Sequence, residues 1–294
     1  MNAESLFRDV GLAKFVAEHL HRLPIALAGS VEDFKALGSW QALDEILGSG
    51  EPDMLVVRNG ERRGDARPVN EAQARTLSDD GYTIVVRHAE RNHAGLSELA
   101  GWFERTFYGP VDVQMFVTPP GQAGFSWHYD AEDVFILQTA GSKEYRLRKN
   151  TVNPWPLEET LPEDMRYERE IMPLMTVSLA AGDLLYVPCG YWHKADASKS
   201  TEAAISLAVG VMSRTGVDVF DFLRRRVVDS LLWRQRLPLV GEAASKSAED
   251  IEAEYRELFE RYGADIVRAL NDPRFVSAFM AERERGARRR DGAG

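Results

Sequence analysis

The sequence places a histidine and an aspartate two positions apart, His128 and Asp130, in the segment SWHYD. Successive side chains of a β-strand alternate faces, so the two project to the same side and can hold one ion between them. A third candidate, His193, follows the run DLLYVPCGYW, and a strand ending at Pro188 would deliver it to the mouth of the same barrel. Two imidazoles and one carboxylate on one face suit non-haem Fe(II) and leave positions open for oxygen and substrate. An isolated H-x-D is weak evidence by itself and fits a plain hydrogen-bonded histidine better, with His193 at the surface. Lys143 tips the balance. In KEYRLR, alternation sets Lys143, Tyr145 and Leu147 on one face and Glu144, Arg146 and Arg148 on the other. Lysine seldom turns inward without an anion to meet. A bound carboxylate would be that anion, its charge-assisted contact contributing about 1.5–3 kcal/mol.

The elements that must position these residues can be read from periodicity. Apolar residues recur at helical spacing over 6–20 and 31–47, and strand-like runs follow at 54–58 and 82–87. A helix over 96–107 carries the stripe Leu96, Leu99, Trp102, Phe103 and Phe107. From Val111 the texture changes to short runs separated by turn residues: VDVQMFV, FSWHYD, VFILQ, KEYRLR, MTVSL, DLLYVP and ISLAVGV. Short strands at near-regular spacing read as an all-β sandwich or barrel. Residues 111–212 are therefore expected to form the β core, preceded by a mixed helix and strand part over 1–110. After Ser213 the strands stop, and 217–233, 248–262 and 275–285 carry helical patterns. The region 213–294 is expected to be helical and to pack on the barrel or on a second copy, as a dimerisation element. Its arginine-rich end, ERERGARRRDGAG, reads as a solvated tail.

The core carries a family resemblance. The run HYDAEDVFILQTAGSKEYRL, followed by GDLLYVPCGYWHKA, resembles the JmjC branch of Fe(II)- and 2-oxoglutarate-dependent oxygenases. LPIALAG, SWQALDEIL and DGYTIVVRHAE resemble the ribosomal oxygenase subgroup, which hydroxylates side chains of ribosomal proteins. The resemblance implies a double-stranded β-helix, the jelly-roll or cupin core, with iron held by His128, Asp130 and His193. It implies that Lys143 meets the distal carboxylate of 2-oxoglutarate and that Ser206, on ISLAVGV, touches the same cosubstrate. The implied activity is a dioxygenase that uses O2 to hydroxylate an amino-acid side chain in a protein or peptide. Arginine-directed bacterial members carry Arg where this chain has Lys143, and they continue into a winged-helix module for which little room follows Arg285. A tailoring hydroxylase of a free amino acid or peptide natural product is thus a second expectation. A non-redox metal-binding cupin is a third, of another class.

Trp127, Tyr129, Tyr191 and Trp192 flank the ligands and either wall the pocket or pack outward; in a strand, neighbours of an inward residue face away. Cys189 reads as a small core residue, His88 and His93 as surface residues, and Arg87 as a possible partner for a substrate carboxylate. Composition bounds the rest. With 46 acidic residues against 36 basic ones, the formal charge of -10 supplies no field to gather nucleic acid or an anionic membrane. The charge-free run 113–129 contains Pro119, Pro120, Gly121 and Gly124 and falls short of the roughly 20 apolar residues of a membrane span. One cysteine and no secretory signal pattern make a reducing cytoplasm the expected compartment.

Overall fold

The structure is a computed structural model, and it describes residues 3–58, 61–64, 66–122, 126–163, 175–197, 199–241 and 245–288. The chain divides into two compact units, Met1–Ser213 and Arg214–Gly294. The first unit holds eleven strands among the described residues: β1 (Ile25–Leu27), β2 (Asp53–Arg58), β3 (Glu61–Arg62), β4 (Thr83–Arg87), β5 (Val111–Thr118), β6 (Asp133–Ala140), β7 (Ser142–Arg148), β8 (Thr176–Ala180), β9 (Leu184–Val187), β10 (Trp192–Asp196) and β11 (Ala204–Val211). Eight of them form one sheet in the order β1-β9-β6-β11-β5-β4-β2-β3, and three form a second in the order β10-β7-β8. Every pairing is antiparallel. This is the jelly-roll arrangement, a β core with α regions.

Alternation decides what each face does. In β5, Val113, Met115 and Val117 join the main core, into which Phe15 of α1 (Leu12–Glu18), Phe103 of α4 (Ala94–Phe107), Phe7 and Phe34 also pack. The residues between them, Asp112, Gln114, Phe116 and Thr118, face the other way. Between the two sheets lies a smaller core of Val134, Ile136, Tyr145, Leu147, Leu179, Leu185, Val187 and Tyr191. Phe135 anchors the main core: it is fully buried, with its ring 4.8 Å from Phe103, 4.9 Å from Tyr186 and 5.3 Å from Phe107.

The structure corrects some local expectations and adds elements that were not foreseen. The single helix over 31–47 is split into a 3-10 helix, Glu32–Gly38, and an α-helix, α2 (Trp40–Gly48), because Ser39 between them is extended and its hydroxyl caps the second through Ala42 N. Gly38 cannot carry a side chain there, since a Cβ would sit 2.4 Å from Thr139 Oγ1. The run FSWHYD forms no laddered strand in its described residues: only His128 pairs, in an isolated bridge with His193. After the strand that ends at Val187 the chain turns, and His193 lies on a strand of its own, β10. The helix α3 (Glu71–Asp79), capped by the Asn70 side chain at Gln73 N, had no clear sequence signal.

The second unit consists of α5 (Gly216–Val227), α6 (Ala248–Leu270) and α7 (Pro273–Arg288), with Thr215 and Asp218 forming a capping box on the first. Phe222 lies 5.0 Å from Phe275, and Trp233 stacks on Tyr262 at 4.3 Å while its indole N–H donates to Asp265.

Candidate metal centre and its cavity

The turn after β9 builds the centre. Gly190 adopts φ +76°, and a Cβ there would fall 2.6 Å from the Pro154 carbonyl oxygen, so only glycine fits. Its N–H donates to the Asp130 carbonyl (2.9 Å), which ties the aspartate to the turn that leads into β10. His128 and His193 exchange backbone hydrogen bonds of 3.1 and 2.8 Å, setting their rings 4.2 Å apart. Nδ1 of His128 lies 2.8 Å from the Ser126 carbonyl and Nδ1 of His193 lies 3.0 Å from that of Tyr191. A carbonyl only accepts, so each Nδ1 carries the proton and each Nε2 is left as a lone pair. His193 Nε2 lies 3.4 Å from Asp130 Oδ2, and one ligand atom from each of the three residues falls within 4.8 Å of the others.

Burial, followed by the neighbouring His128, lowers His193 to about 4. It is therefore neutral over the ordinary pH range, the form that binds metal.

The three side chains open into a cavity of about 270 Å³ between the sheets. Lys143, on β7, lines the same cavity and is 5% exposed. Its ammonium donates to Ser206 Oγ of β11 at 2.9 Å and stands 5.5 Å from the Phe116 ring centre. Burial lowers it to about 7. Among the described residues no carboxylate pairs with it, so a cation is held ready for an anion that enters the cavity. Tyr145 shares the Ser206 hydroxyl, and burial raises its phenol above the ordinary range.

The four residues singled out by type and spacing, His128, Asp130, His193 and Lys143, thus meet around one cavity with Ser206, which the family resemblance alone had pointed to. The flanking aromatics do not line it. Tyr129 packs edge-on against Trp192 at 4.6 Å, Tyr191 sends its hydroxyl to the Arg22 carbonyl, and Trp127 lies under Arg148 and Lys194. The aromatic walls come instead from Phe116 and Tyr145. Among the polar lining residues, Thr83, Gln114, Thr118 and Glu132 were also not foreseen. Burial, then Asp130 and Asp112, push Glu132 up to about 7. Continuing the alternation of His128 and Asp130 by one more step would have placed Glu132 on the same side.

Of the remaining candidates, Arg87 is paired with Asp53 at 2.7 Å. Cys189 is half-buried, and burial together with Asp133 pushes its thiol up to about 12, so it stays protonated. His93 is not a surface residue but a helix cap: its Nδ1 accepts from Leu96 N. His88, Glu90 and Asp112 also bring ligand atoms together, yet each is already engaged: His88 with Asp112 at 2.6 Å, Asp112 with Gln114, and Glu90 with Val113 N.

Residues 98–219 match the model of the JmjC domain. The histidyl-hydroxylase and lysine-specific demethylase NO66 of Dictyostelium discoideum is 37% identical over 120 residues, which is 40% of this chain and 23% of that protein. Ribosomal oxygenase 1 of Gallus gallus is 28% identical over 92% of this chain and 47% of its own length. The chain spans about half or less of these curated relatives. Among solved structures, the Escherichia coli ribosomal oxygenase YcfD superposes with a TM-score of 0.61 at 18% identity, over 92% of this chain and 70% of that one. A structure of YcfD with cobalt and 2-oxoglutarate gives 0.56 at 17% identity, with the same coverage. These likenesses establish the fold.

Proposed function

This chain carries a JmjC domain, and from that premise we propose that it is an Fe(II)- and 2-oxoglutarate-dependent dioxygenase that hydroxylates an amino-acid side chain in a protein or peptide. One observation carries the reading: two imidazole Nε2 lone pairs and a carboxylate converge at the wall of a cavity that also holds a buried lysine with no anionic partner among the described residues. The donor set fits iron. His128, Asp130 and His193 would hold it, and Lys143 with Ser206 would take a carboxylate of 2-oxoglutarate. Bound there, iron supplies the coupling of oxidative decarboxylation, 2-oxoglutarate and O2 giving succinate and CO2, to conversion of a substrate C–H into C–OH.

The chain's own groups do the positioning. The Ser126 and Tyr191 carbonyls fix the two imidazole tautomers. Phe116 and Tyr145 narrow the cavity and exclude water around the Lys143 ammonium. A protein or peptide substrate is favoured by the likeness to proteins named ribosomal oxygenase and histidyl-hydroxylase, and the charge of -10 favours a basic segment over nucleic acid.

The test is succinate release, together with intact mass of ribosomal-protein peptides, by the Fe(II)-loaded protein. We expect one added oxygen atom that depends on 2-oxoglutarate and is reduced to background in Asp130→Ala. Turnover that survives in Asp130→Ala overturns the reading, and metal binding without any response to 2-oxoglutarate overturns it in favour of a non-redox cupin.

A further inference from the structure

Asp133, the first residue of β6, is fully buried and does not line the cavity, yet it gathers hydrogen bonds from four separate places in the chain. Oδ1 accepts from the Tyr186 hydroxyl of β9 and from the Cys189 N–H at 3.3 Å. Oδ2 accepts from the Ser213 hydroxyl at 2.9 Å and from His21 Nδ1 at 2.7 Å. A buried carboxylate is costly unless its oxygens are used, and here each is used twice. The apolar residues that follow it, Val134, Phe135, Ile136 and Leu137, fill space; Asp133 joins segments instead.

Those segments include the turn that carries the metal centre. Cys189 directly precedes Gly190, whose N–H donates to the Asp130 carbonyl, and His193 follows on β10. The turn is thus gripped twice from one short stretch of chain, at Gly190 by the backbone of Asp130 and at Cys189 by the side chain of Asp133. A further hold comes from the segment before β1. Tyr191 donates its hydroxyl to the Arg22 carbonyl at 3.0 Å, and the His21 N–H donates to the Tyr186 hydroxyl at 2.8 Å. His21 makes its contacts at φ +60°, a left-handed conformation uncommon for a residue with a Cβ and kept only where the surroundings impose it.

We propose that Asp133, with His21 behind it, is a positioning residue for the metal centre: through the Cys189 N–H and Tyr186 it holds the turn that sets His193 against Asp130. This rests on the metal-centre reading above and adds to it which buried group keeps two of the ligands in register.

The experiment compares the full chain with Asp133→Asn, His21→Gly and Leu43→Ala under nitrogen, in conditions where near-ultraviolet circular dichroism shows each folded. Mn(II) affinity is read from the electron paramagnetic resonance signal of the free ion, and ligand geometry from the d–d absorption of bound Co(II). Asp133→Asn keeps the shape but turns one acceptor oxygen into a donating amide. His21→Gly keeps the left-handed backbone without strain and removes only the imidazole. Leu43, buried in the main core on α2, controls for lost stability alone. Mn(II) affinity should fall about tenfold in Asp133→Asn, the scale on which contacts that orient metal ligands act, and by a smaller factor in His21→Gly. The Co(II) bands should move in both variants, and Leu43→Ala should change neither quantity.

Unaltered affinity and bands in Asp133→Asn or, should that variant not fold, in His21→Gly overturn the proposal, as does an equal loss in Leu43→Ala. An effect confined to Asp133→Asn keeps the aspartate and overturns the part given to His21. Failure of the underlying reading looks different: the unaltered chain would bind Mn(II) no more tightly than Asp130→Ala. That result removes the metal centre and this inference with it.

Discussion

The two faces of the large sheet are made by the same strands and serve opposite ends. Toward the helices, β11 presents Ile205, Leu207, Val209 and Val211 and β5 presents Val113, Met115 and Val117, none more than 1% exposed. Toward the second sheet, the same strands present Ser206, Ala208 and Gly210 and Gln114, Phe116 and Thr118, and a cavity remains. One step along the chain separates a residue that fills space from one that leaves it open. On the first face volume is what counts. On the second it is the polar atoms, and the atoms left out, that give the site its chemistry.

The comparison breaks first if the packed face turns out to matter little for stability. Phe135→Ala removes a ring that meets Phe7, Phe15, Phe103, Phe107 and Tyr186. The expected loss is about 3–5 kcal/mol in denaturant unfolding, the ordinary cost of truncating a buried phenylalanine. Molecules that remain folded should retain metal binding, because Val134 and Ile136, which line the cavity, point to the other side. A loss below about 1 kcal/mol would mean that the aromatic cluster repacks and that the two faces are not separated in the way proposed.

The next test is on the cavity face, and its sign is opposite. Lys143 is buried, has no anionic partner among the described residues and is lowered to about 7, so the folded chain without ligand carries an uncompensated cation at and below neutral pH. Lys143→Met should therefore raise stability, on the order of 1–4 kcal/mol near pH 7. The pH dependence follows from the direction of the shift. Between about 7 and the ordinary lysine value of 10.5 the unfolded chain binds the extra proton and the folded chain does not. The unaltered protein thus gains stability as pH rises through that window, and its deficit against Lys143→Met shrinks. The variant should also lose the stabilisation that 2-oxoglutarate confers on the unaltered protein. A destabilised Lys143→Met, or one that still responds to 2-oxoglutarate, would place the lysine among the packing residues.

Part of this division was legible in the chain. Alternation in KEYRLR located Lys143, and H-x-D located His128 and Asp130, because spacing of two is a local property of extended backbone. The cavity walls were not legible, because they depend on pairings distant in sequence: Phe116 faces Ser206 across the β5–β11 ladder, and nothing in VDVQMFV says which strand will lie beside it. The same reason explains the aromatics that were offered as walls. Trp127 and Tyr129 adjoin His128 in sequence, and that adjacency turns them away from it. Ser39 was missed on other grounds. Apolar periodicity runs through it without a break, and only its extended backbone and capping hydroxyl end one helix and start the next.

The smallest expected effect is the most direct measure of the cavity face. Ala208 lies between Ser206 and Gly210 on β11 and borders the cavity. Replacing it with valine suits a strand and adds two methyl carbons where the structure leaves space. Unfolding should change by no more than about 1 kcal/mol in either direction, since no packed neighbour is lost and Ala208, though it packs against the second core, also borders the cavity that can take the added carbons. Binding is where the change should appear: 2-oxoglutarate should weaken by a few-fold, because it must share about 270 Å³ with the new side chain. Calorimetry on the unaltered chain and Ala208→Val separates the two quantities. If stability falls by several kcal/mol while binding is unchanged, the space beside Ala208 belongs to the packing of the second core, and the boundary between the two faces lies closer to Lys143 than the strand pattern places it.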